Sequence, residues 1–486
     1  MLLPIAKFGT IEDVGLGLRW DAPTLAKEVE GRAAALAKMQ IGRGSMVAIA
    51  HHNSAHFFAD LFAVWAMGAA AICLDSSLTQ AELDNLLHFA NPAALLGTDG
   101  EVTDLPVGDR GRTAAPDTAA GGAADPDDPA LILFTSGTTG APKGVMLSFR
   151  ALLARLALNK AAIGMRPLAR TLVTLPTHFG HGLIGNALTP LMASGDIVLH
   201  PLGIPLAQHL GRIVDEHRIS FMSSVPALWP MAMKLDHAPR GGSLVRVHIG
   251  SAPLSSELWS GVASWSRAEI VNCYGMTETA NWVAGASSAD GIADGLVGKM
   301  WGGAAAVMDE NSVVQPAGEG EIVVQTPSLM SGYLNRPDLT AMVLRDGWYR
   351  TGDRGTVDGQ GQIRLTGRIK DEINRAGFKV QPGELDTLLE IHPAVAEACV
   401  FGIADPVSGE VVAAAVKLIV GASETPESLR AWCRARLRRE AVPERWYFVD
   451  AIPRNPYGKI NRDAVRNHVL KDMSNDAAIG RPASST

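Results

Sequence analysis

Directly after the apolar run ALILF the chain reads Thr135-Ser136-Gly137-Thr138-Thr139-Gly140-Ala141-Pro142-Lys143-Gly144. Glycines let backbone N–H groups approach an anion, hydroxyls add donors, and the Lys143 ammonium adds positive charge, so the segment suits a polyphosphate. The same composition also fits a surface loop. The Walker arrangement, GxxxxGK followed by Ser or Thr, is not met: Lys143 stands three residues after Gly140 and precedes Gly144. An ordinary P-loop kinase or ATPase is therefore disfavoured. His178 and His181, at i and i+3, are a candidate metal pair, but no third ligand of suitable spacing follows, and no zinc is expected.

The decapeptide resembles the signature of the adenylate-forming (AMP-binding) superfamily of acyl-CoA synthetases, adenylation domains and luciferases. Further segments follow in that superfamily's order. Asn272-Cys273-Tyr274-Gly275-Met276-Thr277-Glu278-Thr279 resembles the second signature and Gly347-Trp348-Tyr349-Arg350-Thr351-Gly352-Asp353 the third. Gly367-Arg368-Ile369-Lys370-Asp371 resembles the hinge, and Pro453-Arg454-Asn455-Pro456-Tyr457-Gly458-Lys459-Ile460 the last motif. The matches span residues 45 to 462, nearly the whole chain.

The resemblance implies a ligase. A carboxylate attacks the α-phosphorus of ATP to give acyl-AMP and pyrophosphate, and CoA then takes the acyl group. The alternative acceptor is the phosphopantetheine of a carrier protein, and a rival of another class is a silent nucleotide-binding relative. By the resemblance, ATP and AMP are held by Thr135, Ser136, Gly137, Thr139, Gly140, Gly250, Ser251, Ala252, Tyr274, Gly275, Thr277, Asp353 and Arg368. Tyr274 would lie against the adenine, and Asp353 would accept both ribose hydroxyls through its two oxygens. Glu278 would hold Mg²⁺ against the phosphates, a task for a hard oxygen ligand. Thr138 and Lys143 would act on phosphate, and Lys459 would offset charge at the α-phosphorus in the transition state. Lys370 takes the hinge position, about which the C-terminal domain exchanges an adenylating for a thioester-forming pose. Gly377 would flank the thiol channel.

The acyl pocket implied in the same way includes Phe179, Gly180, His181, Val247, Ile249, Cys273, Asn281 and Trp282. Members that select α-amino acids place an Asp where this chain has Gly180, and a buried ammonium without that anion would be costly. A free amino acid is disfavoured, and the bulk of Trp282 fits either a short or flat acid or, with the indole displaced, a tunnel. A basic stretch with Arg430, Arg434, Arg436, Arg438 and Arg439 is either a solvated helix face or a surface for CoA phosphates or an acidic carrier protein.

The elements that must position these residues read as α/β. Over residues 20–100 helix-like stretches (APTLAKEVEGRAAALAKM) alternate with short apolar runs (MVAIA, AAAICL), the order of βα units around a mainly parallel sheet. From about residue 300 short strands with Gly turns suggest a β-rich subdomain. The expected organisation is an AMP-binding N-terminal domain of stacked βα subdomains over 1–366, a hinge at 367–371, a small mobile α+β C-terminal domain over 372–471, and an unstructured tail at 472–486. In the C-terminal region Thr425 and Pro426 signal a helix start. Residues 108–129, rich in Gly, Ala, Pro and Asp, read as a linker.

The chain has 486 residues, 47 % apolar and 19 % charged, enough for two or three domains. Its formal charge is −7, from 43 Lys+Arg against 50 Asp+Glu, which disfavours nucleic-acid binding. Four scattered cysteines fit a reducing compartment. The N-terminus does not read as a secretory signal and no apolar run reaches membrane-spanning length. A cytoplasmic enzyme, monomer or homodimer, is expected.

Overall fold

The computed structural model describes residues 4–97, 102–104, 124–135, 142–375, 378–405, 408–454 and 460–478. The expected sites Ser136, Gly137, Thr138, Thr139, Gly140, Gly377 and Lys459 lie outside these residues, as does most of the expected 108–129 linker. The chain forms two compact units, Met1–Ala305 with Val324–Arg350, and Ala306–Val323 with Thr351–Thr486.

In the first unit, one sheet runs in the order Gly332–Tyr333, Lys143–Ser148, Pro129–Thr135, Ala70–Cys73, Met46–Ala50, Ala94–Gly97, Val102–Asp104. The runs MVAIA and ALILF are central strands here, buried on both faces, which is why they carry no polar alternation. Helix Ala22–Lys38 starts where Asp21 accepts the Thr24 N–H, with Pro23 in its first turn. Helix Ala55–Ala66, capped by Ser54, is apolar on most of its circumference because ten of its residues are buried, with the buried Asp60 paired to Arg32 at 2.7 Å.

A second sheet of this unit contains the adjacent parallel strands Asp196–Leu199, Arg170–Val173, Phe221–Ser224, Arg246–Ile249 and Glu269–Met276. The antiparallel strand Asn281–Ser287 then folds back on Glu269–Met276. Parallel order needs crossover helices, and Leu210–Glu216 and Ser256–Ser266 supply two of them. Both pack into a core with Leu210, Ile213, Val214, Trp229, Trp259 and Val262 buried.

In the second unit the later part of strand Trp348–Val357, from Asp353 to Val357, pairs with Ile363–Arg368 in antiparallel register, Asp353 opposite Arg368. A further sheet pairs Val395–Asp405 with Gly409–Leu418, with Arg445–Phe448 alongside in parallel. The expected helix is Pro426–Arg434, with Thr425 as its cap accepting from the Ser428 N–H. The last helix, Arg462–Ala478, runs past the expected boundary at 471. No helix among the described residues is long and apolar enough to cross a membrane.

Glu390, at the end of helix Pro382–Glu390, has its pKa lifted to about 7 by burial and then by the nearby charge of Asp386, with Arg454 pulling the other way and Glu397 reinforcing the rise. Its ordinary value is 4.5, so between these two values the folded state binds more protons than the unfolded one and stability falls as pH rises. Glu390→Gln is expected to flatten that slope, gaining about 1–3 kcal/mol over wild type at pH 8 and little at pH 5. Parallel melting-temperature profiles for the two proteins between these pH values would refute the assignment.

Candidate active site

Strands Phe221–Ser224, Arg246–Ile249 and Glu269–Met276 lie in register, Ser224 beside Ile249 and Ile249 beside Asn272. Their carboxyl ends are therefore side by side, where open α/β sheets bind ligands. One end carries Gly250-Ser251-Ala252 and the next Thr277-Glu278. A Cβ on Gly250 would fall 2.8 Å from the Cys273 carbonyl oxygen, so glycine is what lets this turn close on the neighbouring strand. Ser251 is left-handed, φ +67°, and its Oγ lies 2.8 Å from His181 Nδ1; His181 Nε2 lies 2.5 Å from Ser223 Oγ. Burial drives the His181 pKa down to about 3, so the ring is neutral, with one nitrogen donating and the other accepting.

Strand Glu269–Met276 shifts register between Tyr274 and Gly275 and then enters the turn Thr277–Thr279. The Thr279 hydroxyl lies within hydrogen-bond distance of the carbonyls of Asn281 (2.8 Å) and Met276 (3.0 Å) and shares its one proton between them, and the turn ends in two positive-φ residues, Ala280 at φ +57° and Asn281 at φ +108°. This held, strained turn presents Glu278. The Tyr333 hydroxyl donates to Glu278 Oε1 at 2.8 Å, and the Met330 N–H donates to the Glu278 carbonyl at 2.8 Å. Burial and then the Glu278 carboxylate push the Tyr333 pKa up, and Tyr349, hydrogen-bonded to Tyr333, is raised by the same causes. Both phenols stay protonated, so the carboxylate plane is fixed through Oε1. Among the described residues no hydrogen bond reaches Oε2, an arrangement that fits a magnesium ion bound by one carboxylate oxygen together with phosphate and water.

The wall expected to receive the acid is a π-helical turn, His181–Leu188, buried throughout. A Cβ on Gly185 would sit 2.2 Å from Asn281 Nδ2 and 2.6 Å from the Trp282 ring, so the indole packs directly on the helix backbone. Trp282, 2 % exposed, stands edge-on to His181 (5.1 Å between centroids) and His248 (4.8 Å). Val247, Ile249 and Cys273 are buried on the adjoining strands, and Phe179 is half-buried 6.0 Å from His181. Asn281 Nδ2, Trp282 Nε1 and both His248 nitrogens are buried without a hydrogen-bond partner among the described residues. A Cβ on Gly180 would lie 3.2 Å from the end of the Leu133 side chain, which would have to give by a few tenths of an ångström. His178 faces Asp75 at 3.5 Å whereas His181 faces two serines, so the two histidines do not converge on one metal.

Thr135 and Lys143 are opposite each other in the pair that brackets the phosphate-type loop. In the second unit Asp353, 4 % exposed, meets Arg368 Nε at 2.7 Å, and the Thr351 hydroxyl accepts the Asp353 N–H at 3.0 Å. Tyr274 is buried, Thr277 half-buried, and Lys370 lies exposed in the turn Ile369–Asp371. Tyr333, Ser223, His248 and Arg155 are not among the residues expected from sequence. Tyr333 is 55 residues from Glu278 and sits outside every motif used above.

A family model described as AMP-binding enzyme matches residues 19–334, and one described as AMP-binding enzyme C-terminal domain matches 384–459. The chain is 34 % identical to a sulfoacetate–CoA ligase of Cupriavidus necator over 71 % of this chain and 68 % of that protein. It is 31 % identical to a feruloyl-CoA synthase of an Amycolatopsis species over 91 % and 92 % of the two chains. Among solved structures it resembles ATP-bound MatB from Rhodopseudomonas palustris, with TM-score 0.85, 26 % identity and 96 % of each chain covered. With both family models matched in order, the first over residues 19–334, the chain belongs to the AMP-binding enzyme family.

Proposed function

We propose that this chain is an AMP-forming acid–CoA ligase whose acid carries no formal charge beyond its reacting carboxylate. The observation that carries the second clause is the pocket wall: His181 and His248 are both held neutral by burial, and Trp282 and Asn281 offer only uncharged groups. A second carboxylate or an ammonium on the acid would be desolvated there without a counter-charge. The CoA-ligase names of the relatives and the ATP-bound neighbour support the reaction class.

In this reading the acid's carboxylate oxygen attacks the α-phosphorus and pyrophosphate leaves. Lys459 offsets the charge that builds there, while Thr138, Lys143 and Thr277 bind phosphate. Glu278 would hold Mg²⁺, and the ion, when bound, would lower phosphate charge against the incoming anion. Tyr274 lies against the adenine, and Asp353, oriented by Arg368, takes the ribose hydroxyls. Movement about Lys370 then withdraws Lys459 and admits the thiol past Gly377. The CoA sulfur attacks the acyl carbonyl and AMP leaves.

The test is carboxylate-dependent pyrophosphate release from ATP over short, medium-chain, long-chain and aryl acids such as ferulate, with sulfoacetate as the doubly charged case, each with and without CoA. Turnover with an uncharged short or flat acid, increased by CoA and yielding acyl-CoA and AMP, is expected. A stoichiometric burst that CoA does not relieve would point to a carrier-protein thiol instead. Preference for sulfoacetate would overturn the pocket reading.

A further inference from the structure

Arg155, on helix Phe149–Ile163, is 0 % exposed, and no carboxylate pairs with it among the described residues. Its guanidinium is satisfied instead by neutral groups. Nε and Nη2 donate to Ser328 Oγ at 3.0 and 2.6 Å, Nη2 also to Thr326 Oγ1 at 2.9 Å, and Nη1 to the Trp301 carbonyl at 3.3 Å. Burial without an anion drags its pKa down to about 9. A buried cation of this kind is a cost to the fold, and apolar replacement of buried charge is often neutral or stabilising. Stability therefore gives no account of why a guanidinium stands here.

Its contacts do. A hydroxyl has two acceptor positions and one proton. Arg155 donates twice to Ser328 Oγ, whose own proton has two acceptors in reach, the Thr279 carbonyl at 2.9 Å and the more distant Thr326 Oγ1 at 3.2 Å; the shorter bond ties Ser328 to Thr279. Two residues on, the Met330 N–H holds the Glu278 carbonyl. Segment 326–330 is thus a splint along two consecutive carbonyls of the strained turn, with Arg155 fixing it from behind.

We propose that Arg155 is a positioning residue for acid activation: acting through Ser328, its guanidinium fixes the turn that presents Glu278 to the metal–phosphate group. The inference rests on the reading of Glu278 as the magnesium-holding carboxylate. A fork that satisfies two positions on one hydroxyl together with a second hydroxyl and a carbonyl cannot be replaced by a lysine ammonium, which is a compact charge on a flexible stem.

The experiment compares Arg155→Met, Ser328→Ala, the double variant and Glu278→Gln in the full chain. The readouts are kcat and KM for pyrophosphate release across a Mg²⁺ titration, thioester formation from supplied acyl-adenylate, and melting temperature. Arg155→Met is expected to lose about 10²-fold in adenylation kcat, as a displacement of order 1 Å would give. It should need more Mg²⁺ for half-maximal rate, keep its melting temperature and keep the thioester step. Ser328→Ala should move in the same direction, and the double variant should be no worse than Arg155→Met, because both changes break one link. Wild-type kcat and Mg²⁺ dependence in both single variants, losses that multiply in the double, or equal loss of the thioester step would overturn the proposal. If Arg155→Met does not fold, Ser328→Ala decides alone. Full activity in Glu278→Gln would refute the role of Glu278; an inactive Glu278→Gln beside unaffected Arg155→Met and Ser328→Ala would refute only the positioning role.

Discussion

Lys459→Ala is expected to bind ATP and fail to adenylate, with a loss of about 10²–10³-fold, the usual effect of removing one preorganised group from a developing charge. The phosphorus under attack is approached by an anion and left by another, so an ammonium is worth more in the transition state than in the bound substrates. The described residues on either side of Lys459 are tied together: the Asn461 N–H donates to the Pro453 carbonyl at 3.1 Å, Arg454 bridges Ile460, and Arg454 pairs with Glu397 at 3.1 Å. The same variant given acyl-adenylate and CoA should still form thioester, because by then the phosphoryl chemistry is finished. Measuring the two half-reactions separately distinguishes this from general damage. Undiminished pyrophosphate release would remove Lys459 from the mechanism, and equal loss of both steps would make it structural.

What was legible in the sequence was local. The Thr425-Pro426 start, the APTLAKEVE periodicity and the ALILF run each become the expected element, because capping, amphipathicity and two-sided burial leave marks within a few residues. The π-helical turn His181–Leu188 left none, since its extra residue per turn serves close packing against Trp282 and not a repeating apolar face. The short strand Ile11–Asp13, paired on one side with Asp196–Leu199 and on the other with Leu18–Trp20, also escaped notice. Three residues hold too little pattern, and its partner strand Asp196–Leu199 is far along the chain.

The candidate site divides in the same way. Glu278, Asp353 and Arg368 stood in motifs whose order carried the family, and the structure puts Asp353 directly across from Arg368. The groups that hold them did not. Tyr333 reaches Glu278 over 55 residues, His181 reaches Ser223 over 42, and Arg155 reaches Ser328 over 173. Each is a contact of one or two hydrogen bonds between ordinary residue types, visible only after the chain has folded.

Asp386→Asn should unfold the C-terminal region at markedly lower denaturant, with a loss of about 3–5 kcal/mol, the scale for breaking a buried ion pair by removing one partner. Asp386 is buried, accepts the Val400 N–H at 2.6 Å and takes Arg462 Nη2 at 2.5 Å. Arg462 also donates to the Val400 carbonyl at 2.9 Å and lies 3.6 Å from Asp371 beside the hinge position. Burial alone would lower the arginine's pKa, but the Asp386 carboxylate more than offsets it, so the guanidinium stays charged and needs its anion. An apolar exchange of both partners, Asp386→Leu with Arg462→Met, should cost less than Asp386→Asn alone, because no buried charge is then stranded. Equilibrium unfolding of the two singles and the double gives the coupling directly. A single substitution within about 0.5 kcal/mol of wild type, the range of an ordinary surface change, would show that solvent reaches Arg462 and that the pair does not anchor the helix following Lys459.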